Sequence, residues 1–303
     1  MRFPKISVMN VNQNSHRIGN LDANIKTKTD NTNNMTGKSL QILELQLFDG
    51  GKPQKLSREE LYSRIHHLLS LDKKQYTLPE KDILRQYQGK GGDRNSRDAG
   101  ILYEFYTPDW VCNLMYRLAI KHGYKKGNIL EPSVATGNIL RPYIEGDNYK
   151  NIDAFEIDDT SYKICKAVYP EVNVRQQYFE TAFLQPPRYT TNAKNTWLDN
   201  APYDLVTGNP PYCPHKNKYS GYFTGKDNFR QTEMFFMYKG LQLLKKGGLL
   251  VFITNINFLS TGSAYQDAKD KIGELADLVD AYRLPPVFGD TQICTDIIVL
   301  KRK

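Results

Sequence analysis

The chain of 303 residues has only four cysteines, Cys112, Cys165, Cys213 and Cys294, and no two of them form a CxxC pair. Such spacing argues against a zinc site or a disulfide framework and points to a reducing, cytoplasmic compartment, so no metal is expected. The N-terminus has no apolar signal core. The longest apolar run, Gly248 to Ile253, is too short to span a bilayer, and no membrane partner is expected. A GxGxxG turn is also missing, which disfavours a dinucleotide, whose pyrophosphate needs those glycines.

What is present bounds the answer further. The length allows one sizeable domain and an appendage. An apolar fraction of 40% is adequate for a core, and a net charge of +8 permits an anionic partner such as nucleic acid without proving one. Twenty tyrosines serve cores and base stacking alike.

Residues 1–55 read as largely irregular: the first part is rich in Asn, Thr and Lys with no apolar period, and Gln41 to Phe48 alternates weakly, as a short strand would. Residues 56–100 read as a helical segment. Ser57 to Glu60 resembles a capping box ahead of Leu61, Ile65, Leu68 and Leu69 at helical spacing. A second helix starts at Leu78-Pro79, turns Ile83, Leu84 and Tyr87 inward, and ends in the Gly-rich run Gln88 to Gly92.

From 101 to 303 strands and helices alternate. Thr107 is placed as the N-cap of a helix with Pro108 its first residue, and Gly123 closes it. Strands follow at Asn128–Glu131, Asp153–Asp158, Val172–Arg175, Asp204–Thr207 and Leu249–Thr254. Met234, Met237, Leu241 and Leu244 form a helix face ended by Gly247-Gly248. Leu278–Leu284 and Thr295–Lys301 alternate like a hairpin with Phe288 at its turn. The pattern predicts an α/β fold, a doubly wound, mostly parallel sheet of seven strands with an antiparallel end.

Two places carry chemistry. A strand ending in Glu131, then Pro132, Ser133, a turn with Gly137 and a helix, makes a nucleotide-type site, and Glu156, at the end of the next strand, is placed to bind ribose hydroxyls. An adenosine-type cofactor without phosphates fits. The second place is Asn209-Pro210-Pro211-Tyr212, just past a strand's carboxyl end. The lone pair of an adenine amine is delocalised into its ring, so the amine is a poor nucleophile. Two acceptors, the Asn209 side-chain oxygen and the Pro210 carbonyl, localise that pair and stabilise the charge that develops on attack. The prolines hold the acceptors in place and Tyr212 stacks on the base. Basic and aromatic residues interleave in the loop beyond, including Lys216 and Lys218, a composition suited to a phosphate backbone.

Phe105-Tyr106-Thr107-Pro108, Glu131-Pro132-Ser133 with Gly137, Glu156 and Asn209-Pro210-Pro211-Tyr212, in this order, closely resemble the S-adenosylmethionine-dependent DNA adenine-N6 methyltransferases of the gamma arrangement. Leu84 to Gly92 resembles a stretch in the methylase–helicase proteins of phages and conjugative elements. The resemblance implies a Rossmann-like methyltransferase fold with DNA as partner, in a restriction-modification or mobile-element setting. It implies that Phe105, Thr107 and Pro108 pack on the cofactor's methionine end with Tyr106 in the same motif, and that Glu131 and Gly137 hold its amino-acid part, Glu131 taking the ammonium. Glu156 then holds the ribose, Asn209 and Pro210 grip the target amine, and Tyr212 and Phe288 sandwich the flipped base.

Three departures stand out. Ala135 occupies a place where many members have Gly, which a negative φ there accommodates. Tyr178, before Phe179, stands where the family has an Asp that binds the cofactor's adenine amine; the resemblance leaves that contact to the Tyr178 hydroxyl or to a backbone group, with Phe179 beside it in the cofactor site. No separate target-recognition domain is evident, which leaves three sources of site specificity open: a specificity or helicase partner chain, a further segment, or little specificity at all. Two other readings stay open on the residues: a methyltransferase of protein glutamine or RNA amino groups, which share Asn-Pro-Pro-Tyr, and an inactive DNA-binding or modification subunit.

Overall fold

A computed structural model describes residues 7–8, 56–89, 106–184, 200–260, 265–288 and 294–303. It divides into two compact units, Met9–Tyr87 and Met1–Val8 with Gln88–Lys303.

In the smaller unit, helix α1 is Arg58–Ser70 and α2 is Leu78–Leu84. The capping box is formed: Glu60 N donates to Ser57 Oγ at 3.2 Å and Ser57 N donates to Glu60 Oε2 at 2.8 Å. Ile65, Leu68, Ile83, Leu84 and Tyr87 are buried. The strand expected over Gln41 to Phe48 lies outside the described residues.

The larger unit is a sheet of strands β1 (Ser7–Val8), β2 (Gly127–Glu131), β3 (Tyr149–Glu156), β4 (Val172–Gln176), β5 (Tyr203–Gly208), β6 (Leu244–Asn255), β7 (Ala276–Leu284) and β8 (Thr295–Arg302). Their spatial order is β1-β7-β8-β6-β5-β2-β3-β4. β8 runs antiparallel between β6 and β7, and the other pairings are parallel. The expected sheet of seven strands with an antiparallel end is therefore present as β2 to β8. One strand is added: Ser7–Val8 pairs with Tyr282 and Arg283 of β7, in a region read as irregular.

β6 and β8 lie in the middle of the sheet. Leu249–Ile253 and Ile297–Leu300 are buried, which explains their unbroken apolar runs. Helices α3 (Asp109–Lys121), α4 (Arg141–Glu145), α5 (Asp159–Val168), α6 (Thr232–Leu243) and α7 (Gln266–Leu275) complete the unit. α6 is buried from Thr232 to Leu241. It comes so near the sheet that a Cβ on Gly240 meets Val206 Cγ1 at 3.0 Å.

Several boundaries differ from the sequence reading: the strand expected over Asp153–Asp158 is Tyr149–Glu156, with Asp158 the N-cap of α5, and two further cases have a clear cause. α6 stops at Leu243, because Leu244 pairs with Tyr203, and the chain then bulges through Gly247 at φ +77° before resuming the ladder at Leu249. Helical spacing alone cannot see that sheet partner. α3 begins at Asp109 with Pro108 as an extended N-cap, one residue later than expected, because the Thr107 side chain is turned elsewhere.

The topology locates the site. From β2 the chain builds outward through β3 to β4, then returns to place β5 on the other side of β2. Between β2 and β5 the winding reverses, and the crevice at their carboxyl ends is where an open α/β sheet binds ligands. Glu131 ends β2, and Asn209 follows Gly208, the last residue of β5.

Candidate active site

A cavity of about 260 Å³ opens at this switch point. Its floor comes from the turn after β2 (Glu131, Pro132, Ser133) and from Glu156 at the end of β3. Tyr106 and Thr107, ahead of α3, form one wall, while Tyr178 and Phe179, after β4, form another. Asn209 and Pro211 close the side toward β5, with Lys216 and Lys218 exposed at the rim. The separated motifs thus converge on one hollow. Pro108, Gly137, Pro210, Tyr212 and Phe288 do not line it, and Phe105 lies outside the described residues. Gly137 serves the turn instead: its φ is +87°, and a Cβ there meets the Tyr169 ring at 2.6 Å. Phe288 is buried, 6% exposed.

The loops that carry the motifs are tied to one another. Asn209 Nδ2 donates to Thr107 Oγ1 at 3.4 Å, and Ser133 Oγ donates to the Asn209 carbonyl at 3.4 Å. Asn138 Nδ2 donates to the Thr107 carbonyl at 2.7 Å, and the Tyr106 and Ser161 hydroxyls share a bond of 2.8 Å. Thr107 thus orients the Asn209 carboxamide, which is why it does not cap α3. The Tyr212 hydroxyl donates to Asn209 Oδ1, and Tyr212 is only partly exposed. Burial, then the nearby Glu233 and Asp296, raises its pKa well above the ordinary phenol range, so it remains a donor. The sequence put the ring on a base; in the structure the hydroxyl also sets the oxygen of Asn209.

The two floor acids differ. Glu156 Oε1 accepts from Ile157 N at 2.7 Å and Asp158 N at 2.8 Å, and Oε2 accepts from Ala135 N at 2.8 Å. Three of about four lone-pair sites are taken, leaving one for a ligand hydroxyl. Burial pushes its pKa up to about 7, against the opposing pull of these three donors. Glu131 is 0% exposed, and neither of its oxygens has a partner among the described residues. Burial, and then the charge of Glu156, raises its pKa well above the carboxylate range. An orphaned buried acid beside a cavity is a ready acceptor for a cation.

Ala135 corrects one expectation: its φ is +48°, in the left-handed region, not negative. The twist aims its N–H at Glu156, which compensates the strain.

The model of the Eco57I restriction-modification methylase family matches residues 113–284, more than half of the chain. The chain belongs to this family. Among relatives of this Eco57I-type methylase, the Defense against restriction protein B of Escherichia phage P1 is 27% identical over 268 residues, 84% of this chain and 10% of the phage protein. The Type II methyltransferase M.HincII of Haemophilus influenzae is 27% identical over 176 residues, covering 54% of this chain and 30% of its own length. The Modification methylase CviBIII of Paramecium bursaria Chlorella virus NC1A is 29% identical over 154 residues, covering 49% and 36%. The chain thus spans a tenth of the phage protein and about a third of the two methylases.

Solved structures agree on the fold. A protein of Listeria monocytogenes assigned to the class I S-adenosylmethionine-dependent methyltransferases superposes with a TM-score of 0.53 at 17% identity, over 88% of this chain and 75% of that one. The type I restriction-modification methyltransferase subunit of Streptococcus thermophilus gives 0.53 at 18% identity, over 74% and 48%. The Eco57I-type chain therefore has the Rossmann-like methyltransferase fold its motifs imply. Among its described residues no helix is long and apolar enough to cross a membrane.

Sequence reasoning missed several residues that line the cavity. Asn138, Glu180 and Asn217 adjoin residues named from the sequence but were given no role, and Ser161 and Thr232 are brought in from α5 and α6. The one signal open to the sequence was Glu180, an acid two residues past the aberrant Tyr178.

Proposed function

We propose that this chain transfers a methyl group from S-adenosylmethionine to the N6 amine of a DNA adenine flipped out of its helix. One observation carries the reading: the Asn209 carboxamide, Glu131 and Glu156 line a single cavity. Membership of a restriction-modification methylase family supports the reaction class.

When bound, S-adenosylmethionine supplies an electrophilic methyl group. Glu131, buried and without a partner, fits its ammonium; the open lone pair of Glu156 fits a ribose hydroxyl; Tyr106 and Thr107 wall the methionine end. Asn209 Oδ1 and the Pro210 carbonyl take the hydrogens of the target amine. An amide oxygen has two lone pairs, and the Tyr212 hydroxyl donates to Oδ1. Because Thr107 and Tyr212 fix the carboxamide beforehand, no reorganisation is needed at the moment of attack. Flipping costs a few kcal/mol, roughly, which the two hydrogen bonds to the amine help to offset. Lys216 and Lys218 at the rim take DNA phosphates. A specificity or helicase partner belongs to the proposal, since relatives include a far longer phage protein and the fold is shared with a type I subunit.

The test is tritiated methyl transfer to DNA, RNA and release-factor protein by the wild type and by Asn209→Ala. Wild type is expected to label DNA on adenine N6. Asn209→Ala is expected to bind cofactor normally and lose transfer by about 100-fold or more. Label on RNA or protein alone would move the grip to another amine, and full transfer by Asn209→Ala would refute it.

A further inference from the structure

Glu180 sits in a short 3-10 turn, Phe179–Phe183, immediately after Tyr178. It lines the same cavity as Glu131, Glu156 and Asn209, and is 1% exposed. Its Oε1 accepts from His215 Nε2 at 3.1 Å and from Asn217 Nδ2. His215 is fixed in turn by stacking on Phe235, with ring centroids 4.4 Å apart. Its Oε2 has no partner among the described residues. Folding has taken one carboxylate oxygen fully into service and left the other without a donor, which is costly unless a ligand completes it.

The direction is also right. Glu156 ends β3 and Glu180 follows β4, the next strand in the sheet. A nucleoside with its ribose at Glu156 extends its base along that edge toward Tyr178 and Glu180. Tyr178 has no carboxylate to offer. Its ring packs edge-on to Tyr219, with centroids 5.4 Å apart, and lies under Lys218 Nζ at 5.4 Å. Glu233 also has an unpartnered oxygen but does not line the cavity.

We propose that Glu180 reads the adenine of the cofactor: Oε2 accepts from its 6-amino group while Oε1 anchors His215 and Asn217. The acid that the resemblance places at position 178 is thus supplied from two residues further on. Because His215 and Asn217 lie just past Asn209-Pro210-Pro211-Tyr212, the same carboxylate ties the cofactor's base to the segment that leaves the amine-gripping loop. The inference rests on the cofactor reading above and adds which residue selects adenine.

The test is calorimetric titration of the full chain with S-adenosylhomocysteine and with S-inosylhomocysteine, which has a 6-oxo group in place of the amine. Wild type is expected to bind the adenine ligand about 10- to 100-fold tighter, the range for one charge-assisted hydrogen bond. In Glu180→Gln the amide N–H can donate to the 6-oxo group, so the ratio is expected to fall to within about threefold of unity or to invert. A wild type that binds both ligands equally overturns the proposal, and this arm needs no variant to fold. A Glu180→Gln chain that weakens both ligands in the same proportion also overturns it, because a mere brace would act that way. If wild type binds neither ligand, the cofactor reading itself fails and takes the inference with it.

Discussion

The carboxyl ends of β2 and β3 carry one glutamate each, in adjacent strands, on the same side of the sheet, and the fold treats them in opposite ways. Glu156 is wrapped by three backbone N–H groups, whereas Glu131 is given none among the described residues. The first is part of the architecture: it holds the turn at Ala135 and the start of α5. The second is a cost the protein carries while empty. On the proposed reading stability and binding are divided between two acids of the same type, and substitutions should separate them.

The largest effect is expected from Glu156→Gln. A glutamine has one acceptor oxygen where three N–H groups converge, and its own N–H₂ faces donors. A loss of about 2–4 kcal/mol in urea unfolding is expected, with cofactor affinity falling alongside. Glu131→Gln should behave in the opposite sense. Removing a buried acid without a partner is expected to leave the empty protein as stable or more stable by about 1 kcal/mol, while affinity for S-adenosylhomocysteine falls more than about tenfold. Equal losses of stability from the two substitutions would end the distinction.

Proton linkage sharpens it further. Glu156 is raised from the ordinary 4.5 to about 7, and Glu131 is raised as well. For an acid whose folded pKa is raised, the native state holds more protons than the unfolded one between the two values. For Glu156 stability therefore falls as pH rises from about 4.5 to about 7 and then levels off, and the contribution of Glu131 has the same sign. Glu233, raised to about 7 chiefly by burial, adds to the same slope. Acids shifted downward, such as Asp280, act below the ordinary carboxylate range and leave this window alone. Midpoints of urea unfolding at pH 5.5 and 7.5 should show the empty protein weaker at the higher value, and Glu131→Gln should flatten the difference.

What the sequence made legible was local. Asn209-Pro210-Pro211-Tyr212 was readable because proline and glycine end a strand by their own covalent geometry. β6 and β8 were readable because burial on both faces demands continuous apolar residues. What it hid was long-range. Glu180 draws its hydrogen-bond partners from His215 and Asn217, 35 and 37 positions away. The end of α6 depends on Leu244 meeting Tyr203, and a two-residue strand such as Ser7–Val8 has no period to detect. The contrast between Glu131 and Glu156 was hidden too, since both read as acids at strand ends, and only the backbone turns around them decide which receives donors.

The smallest effect concerns Ala135, whose N–H completes the cradle of Glu156 from a left-handed backbone at φ +48°. An alanine there costs roughly 1–2 kcal/mol relative to its preferred conformations. A glycine removes that strain but gains about 0.5–1 kcal/mol of extra freedom in the unfolded chain. Ala135→Gly is therefore expected to stabilise the protein by no more than about 1 kcal/mol in urea unfolding, with cofactor affinity changed less than about threefold. A loss of stability instead would show that the methyl group of Ala135 holds the turn, and that the donors around Glu156 depend on side-chain packing as well as on backbone conformation.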